Sequence, residues 1–224
     1  MTNILLSRYD ISKRWCFKDF KKYLKKGDRV AVVAFSFRDG EISSREDWDK
    51  FYGEDGIFSK AIEKSFKHYG IHPEDVEYID YFRDNPASAK RKIQKADIIY
   101  LPGGAPEKIM SRVIEFDLYD VIENHDGVVI GFGAGAQVQL ANYHITGDDR
   151  GNLCYSLGFR FAEGFYVEVD YARDETQNHC IRRVVTERGL PVFAIGEEGA
   201  VIVDDGIMSV IGDVSCFRKR EAAG

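Results

Sequence analysis

Short, nearly continuous apolar runs, separated by stretches of helical spacing, constrain this chain more than any other feature. NILLS (3–7), RVAVVAF (29–35), VEYID (76–80), DIIYL (97–101) and VVI (128–130) are of strand length. A strand solvated on one face alternates apolar and polar residues. One buried on both faces does not, and such strands belong to parallel sheets covered by helices on either side. Between the runs, GIFSKAIEKSFKHYG (56–70) sets Ile57, Ala61, Ile62 and Phe66 at helical spacing and ends on Gly70, a C-cap residue. PASAKRKIQKA (86–96) opens with a proline suited to a first helical turn. The pattern also predicts helices over 17–25, 107–124 and 134–142. The tail differs: GFYVEVD (164–170), PVFAIG (191–196) and AVIVDDGIMSVIG (200–212) carry a hairpin signal at Asp205-Gly206. The expected fold is therefore α/β, a doubly wound, mostly parallel sheet with helices on both faces and a C-terminal antiparallel extension. No repeat, low-complexity tract or Pro/Ser-rich linker interrupts it, so a single domain over 1–224 is expected.

Composition narrows the function classes. A formal net charge of −6 argues against broad binding to nucleic acid or anionic membrane. The basic run KDFKKYLKK (18–26) reads as the solvated face of a helix, since Phe17, Phe20, Tyr23 and Leu24 recur at helical spacing. No signal peptide or membrane-length apolar run is visible, and Cys16, Cys154, Cys180 and Cys216 form no C-x-x-C pair. A cytoplasmic protein with reduced thiols, without metal or cofactor, is the expectation.

Ligands of open α/β sheets bind beyond the carboxyl ends of the strands. Two glycine-rich turns fall at such ends, LPGGAP (101–106) and GFGAGA (131–136). Neither matches the phosphate-loop pattern G-x-x-x-x-G-K-[ST] or fits G-x-G-x-x-G. As isolated features, both read as tight turns that need positive φ. GFGAGA also has the outline of a nucleophile elbow, the sharp strand-to-helix turn that presents a Ser or Cys between glycines. The presenting position is Gly133, which has no side chain.

Together, YLPGG (100–104) and GFGAGAQV (131–138) resemble peptidase family S51, the group of dipeptidase E and cyanophycinase, within the class I glutamine amidotransferase-like fold. The resemblance runs from residue 29 to residue 212. It implies a serine nucleophile on the elbow, then an acidic residue, then a histidine near the end of a later strand. It also implies an oxyanion hole from backbone N–H groups, which would be those of Gly104 and Ala134. Gly103, Gly104, Gly131, Ala134, Gly135 and Ala136 match the turn framework. The nucleophile's place is Gly133, the acidic member falls on Asp148 or its neighbour Asp149, and Asp170 stands where the imidazole is expected. The family's Asn after PGG is replaced by Ala105-Pro106. Acyl transfer needs a hydroxyl to attack and a base to take its proton. The chain departs at both positions.

The remaining candidates are weaker. A Cys154–His144 pair would define another enzyme class, but NLCYSLGF lacks an elbow; a structural thiol and a capping or packing histidine are the plainer readings. His179 and Cys180 point apart on a predicted helix, and His68, His72 and His125 lack metal-ligand spacing. Glu168 and Asp170 share one side of a predicted strand, either as solvated strand-end carboxylates or as an acidic rim. With Asp148 they would suit a small peptide or amine-containing ligand, in a pocket completed by Gly103, Gly131, Gly135 and Gln137. Three functions remain open on the sequence: an S51-like protein that has lost its chemistry and retains a pocket, an active hydrolase with a rearranged site, and a structural or regulatory subunit, in which a homodimer is possible.

Overall fold

The computed structural model describes residues 1–147 and 152–219. The main sheet has eight strands: β1 (Thr2–Leu6), β2 (Val30–Val33), β3 (Val76–Ile79), β4 (Ile98–Leu101), β5 (Val128–Phe132), β8 (Tyr166–Glu168), β9 (Val192–Asp204) and β10 (Ile207–Phe217). Its order is β10-β9-β1-β5-β4-β2-β3, with β8 paired to β9 off this path. The pairs β1–β5, β5–β4, β4–β2 and β2–β3 are parallel, whereas β9 runs antiparallel to both β1 and β10. The fold is thus the expected α/β sheet with an antiparallel C-terminal extension. The Asp205-Gly206 hairpin forms with both residues at positive φ, as a type I′ turn requires.

Two apolar cores explain the continuous runs. Leu5, Val33, Ile99, Leu101 and Val129 face one side, where α4 (Pro86–Lys95), α5 (Pro106–Glu115), α6 (Tyr119–Glu123) and α7 (Ala134–Gln137) contribute Ile93, Ile109, Val113, Ile122 and Ala136. Ile4, Leu6, Val32, Tyr100 and Ile130 face the other, under α1 (Arg14–Phe20), α2 (Arg45–Tyr52) and α3 (Ile57–Lys67), through Phe20, Trp48, Ile62 and Phe66. Alternate residues of one strand therefore enter different cores, and the buried polar residues Thr2 and Asn3 at the start of β1 are hydrogen-bonded to Asp204 and Gln139.

Several local expectations are corrected. The helix over 107–124 breaks into α5 and α6 at Asp117, which takes φ 53°. The helix over 134–142 stops at Gln137, because Asn142 already starts a strand: β6 (Asn142–Thr146) pairs antiparallel with β7 (Leu153–Leu157) in a separate two-stranded sheet. Neither this hairpin nor α2 was anticipated. The segments over 191–196 and 200–212 are not separate strands but parts of the long β9 and of β10. Helix α8 (Glu175–Arg188) is capped by the Asp174 side chain, which accepts from the Gln177 amide, and closes on Gly189 in the left-handed conformation. Among the described residues no helix is long and apolar enough to cross a membrane.

Candidate functional site

Strand β5 delivers the elbow. Gly131 and Phe132 are its last residues, paired in register with Leu5 and Leu6 of β1. Gly133 turns the chain at φ 53°, ψ −121°, and α7 follows directly, burying Ala134, Gly135 and Ala136. The Gly133 amide donates to the Leu6 carbonyl at 2.9 Å, which anchors the turn to the exit of β1. A Cβ built on Gly133 meets one atom within 4 Å, the Gly103 Cα at 3.5 Å, an ordinary contact. Position 133 is thus open in space but restricted in backbone.

The PGG turn lies across from it at the exit of β4. Ser36 holds it from both sides: its hydroxyl donates to the Gly103 carbonyl at 2.6 Å, and its own carbonyl accepts from the Ala105 amide at 2.7 Å. Gly104 takes φ 144°, and a Cβ there would fall 2.3 Å from the Ser36 carbonyl oxygen, so only glycine fits. Beneath, the buried Arg112 guanidinium donates to the carbonyls of Phe35 and Phe37, at 2.7 Å each, and stacks on the Phe37 ring. The amides of Gly104 and Ala134 donate to no described residue.

Residue 170 reaches the same place. The Ser7 hydroxyl, next along β1 from Leu6, accepts from the Asp170 amide at 2.9 Å and donates to the Ile195 carbonyl at 2.6 Å. Positions 133 and 170 are therefore tied to consecutive residues of one strand exit. The Asp170 carboxylate faces Arg8 at 3.4 Å, and Arg8 also binds Glu197 at 2.9 Å. A cation therefore stands against the Asp170 carboxylate. Partial burial pushes the Asp170 carboxyl above its ordinary value of 3.8; Arg8 opposes this, while Glu197 and Glu168 add to it. A carboxyl raised in this way favours the folded state when protonated. Its contribution is present below the ordinary value and is lost as pH rises through the folded one. Arg8→Gln removes the opposing charge, so the Asp170 midpoint followed by carboxyl 13C NMR is expected to move further up. An unmoved midpoint would show that the ion pair does not form in solution.

Glu168 is not a solvated partner of Asp170, contrary to the period-two expectation. Strand β8 ends at Glu168, and Asp170 lies beyond it at φ 52°. Glu168 is buried, accepting from Thr146 Oγ1 at 2.8 Å and Gln177 Nε2 at 3.2 Å, and paired with His144 Nε2 at 2.7 Å. Since a carboxylate accepts, Nε2 carries the hydrogen, and the buried Nδ1 has no partner among the described residues. His144 is therefore committed to Glu168, and Cys154 lies exposed on β7, so the Cys–His alternative has no basis in the geometry. Gln177 also donates to the Asp170 carbonyl at 3.1 Å and accepts from the Ala172 amide, joining α8 to the segment after β8. Asp148 and Asp149 lie outside the described residues. Among the described residues no group of three or more His, Cys, Asp or Glu is arranged to hold a metal ion.

Two cavities flank the PGG turn. One, of about 670 Å³, is polar; it is lined by Gly104, Gln137, Glu168 and Gln177, with Glu107 and Asp174 adding carboxylates and Arg38 a guanidinium. The other, of about 220 Å³, is apolar and touches Gly103 and Phe132. A model of peptidase family S51 matches residues 51–211, a span that holds the PGG turn, the elbow, Asp170 and Glu197. The chain belongs to peptidase family S51. Two solved structures share the S51 chain's fold. One is a Listeria monocytogenes EGD-e protein named for peptidase E, 19% identical with TM-score 0.64, covering 98% of each chain. The other is a peptidase from an acI-B1 Actinobacterium, 15% identical with TM-score 0.65, covering 98% of this chain and 95% of that one. No curated protein matches the sequence.

The signals for Glu197, Arg8, Ser7 and Ser36 were absent from local sequence. Each acts through a partner between 67 and 189 positions away.

Proposed function

We propose that this S51 protein no longer hydrolyses peptides and retains the polar cleft as a pocket for a small peptide or amine-bearing ligand. The observation that carries the reading is the pair of positions tied to Leu6 and Ser7. Gly133 offers no attacking atom, the Asp170 carboxylate is engaged with Arg8, and the Ser7 hydroxyl beside the Asp170 backbone donates its proton to the Ile195 carbonyl. A base without a nucleophile, beside a nucleophile position without a side chain, cannot form an acyl-enzyme. The supporting frame is intact: the Ser36-braced turn holds the Gly104 amide, and the Ala134 amide opens α7, so a carbonyl oxygen has donors without a reaction to follow. Glu107, Glu168 and Asp174 against Arg38 alone give the cleft an excess of carboxylates, which favours a cationic group such as a peptide amine.

The test is a mass-spectrometric panel of dipeptides, including Asp-X and β-linked Asp-Arg, run with calorimetric binding on the same samples. The expected result is binding without turnover above a protein-free blank. Turnover that co-purifies with the chain and disappears in Asp170→Asn would overturn the loss of chemistry. Absence of any binding would overturn the pocket.

A further inference from the structure

The apolar cavity on the Gly103 side of the turn shares Pro102 and Gly103 with the PGG turn, and its other walls are apolar side chains from outside that turn. Tyr52 and Ile62 close its buried end, while Tyr9, Ile57 and Phe58 stand 45%, 66% and 44% exposed around it. Three of the eight exposed large hydrophobic residues among those described therefore gather at this one cavity. Single exposed apolar residues are ordinary, but a cluster around a concavity marks a contact site.

The walls pack on one another. Phe58 packs on Phe51 and Tyr52 with ring centroids at 5.3 Å in both cases, and Phe132 meets Tyr9 edge-on at 6.1 Å. The Tyr52 hydroxyl is engaged with Ser36, the residue that braces the PGG turn, so its polar end is already satisfied.

The geometry points to this cavity as the receptor for one aromatic side chain of a bound peptide, seated beside the vacant elbow while the peptide's polar end lies in the acidic cleft. Size selects the occupant: an apolar cavity of roughly 150 Å³ takes up benzene, so about 220 Å³ holds a phenol or indole ring and excludes a helix or a protein segment. Aromatic walls favour an edge-on or offset ring over an aliphatic chain. Continuity with the elbow selects the ligand. Gly103 lines this cavity and Gly104 the polar cleft, and the Gly103 Cα is the atom nearest to a Cβ at position 133. A ligand crossing the turn meets both cavities at once. The inference rests on the reading of the elbow region as a peptide site.

Three probes separate the two claims: indole alone, Ala-Trp and Ala-Ala, each followed by 15N-resolved NMR shifts on the full chain. Indole and Ala-Trp are expected to shift the amides of Ala61, Ile62 and Phe132, with Ala-Trp binding at least about tenfold tighter than Ala-Ala. Ala61→Trp, which fills the cavity, is expected to abolish both effects. Phe58→Ala alters an exposed wall and is expected to weaken them about tenfold, so the test survives if Ala61→Trp fails to fold. Indole binding here, with neither dipeptide bound, would uphold the ring site and overturn the peptide reading. Equal binding of Ala-Trp and Ala-Ala, with no indole shifts at these residues, would overturn the ring site.

Discussion

Gly133→Ser combined with Asp170→His is expected to raise dipeptide hydrolysis about 10²-fold or more above the wild-type chain, with either substitution alone remaining at blank. Proton transfer by a positioned side chain contributes roughly 10²–10⁴-fold, and it needs the hydroxyl and the imidazole together. The local geometry admits both. A side chain at position 133 starts in ordinary contact with Gly103 and is aimed at an open site. Its positive φ costs about 1–3 kcal/mol, a strain that active elbows also carry and that glycine relieves here. Position 170 is already at φ 52°, a region in which His, like Asp, is enriched among non-glycine residues. Arg8 would lose one carboxylate and keep Glu197. The measurement is the dipeptide panel on the wild type, both single variants and the double variant, with folding checked by circular dichroism. A folded, bound and inert double variant would show that the chemistry was lost at more than these two positions.

Glu168→Ala is expected to destabilise the fold by about 1–3 kcal/mol, the range for leaving a buried donor without its acceptor. The cost arises because the buried His144 Nε2 and the part-buried Thr146 Oγ1 lose their common acceptor, and Gln177 loses its hold on β8. Replacing both central partners by apolar groups, His144→Leu with Glu168→Met, removes the orphaned imidazole and is expected to restore much of the loss. Urea denaturation of the wild type, both single variants and the pair measures the coupling. A cost below about 1 kcal/mol for Glu168→Ala would mean that solvent enters from the adjoining cleft, and that Glu168 acts mainly as a lining group.

Much of the architecture was legible locally, for a physical reason. Strands such as Val30–Val33 and Ile98–Leu101 are buried on both faces, so the solvent requirement is written into every residue of the run. The Asp205-Gly206 turn was legible because positive φ is a property of the residues themselves. Failures came where local pattern and global pairing disagree. Residues 138–141 continue the apolar spacing of α7, but the chain leaves the helix to pair Asn142–Thr146 with Leu153–Leu157, a partner that no short window contains. Glu168 looked solvated because alternation assigns a face without saying what covers it; His144 and Gln177 cover it from other elements.

The class of fold, the family and the absence of a side chain at position 133 follow from residue identity and spacing along the chain. The hold of Arg8 on Asp170, the pairing of Glu168 with His144 and the aromatic cavity beside position 133 arise from the packed fold. These are contacts among side chains far apart in sequence, and their energies depend on burial and distance, which exist only after the strands have been brought side by side.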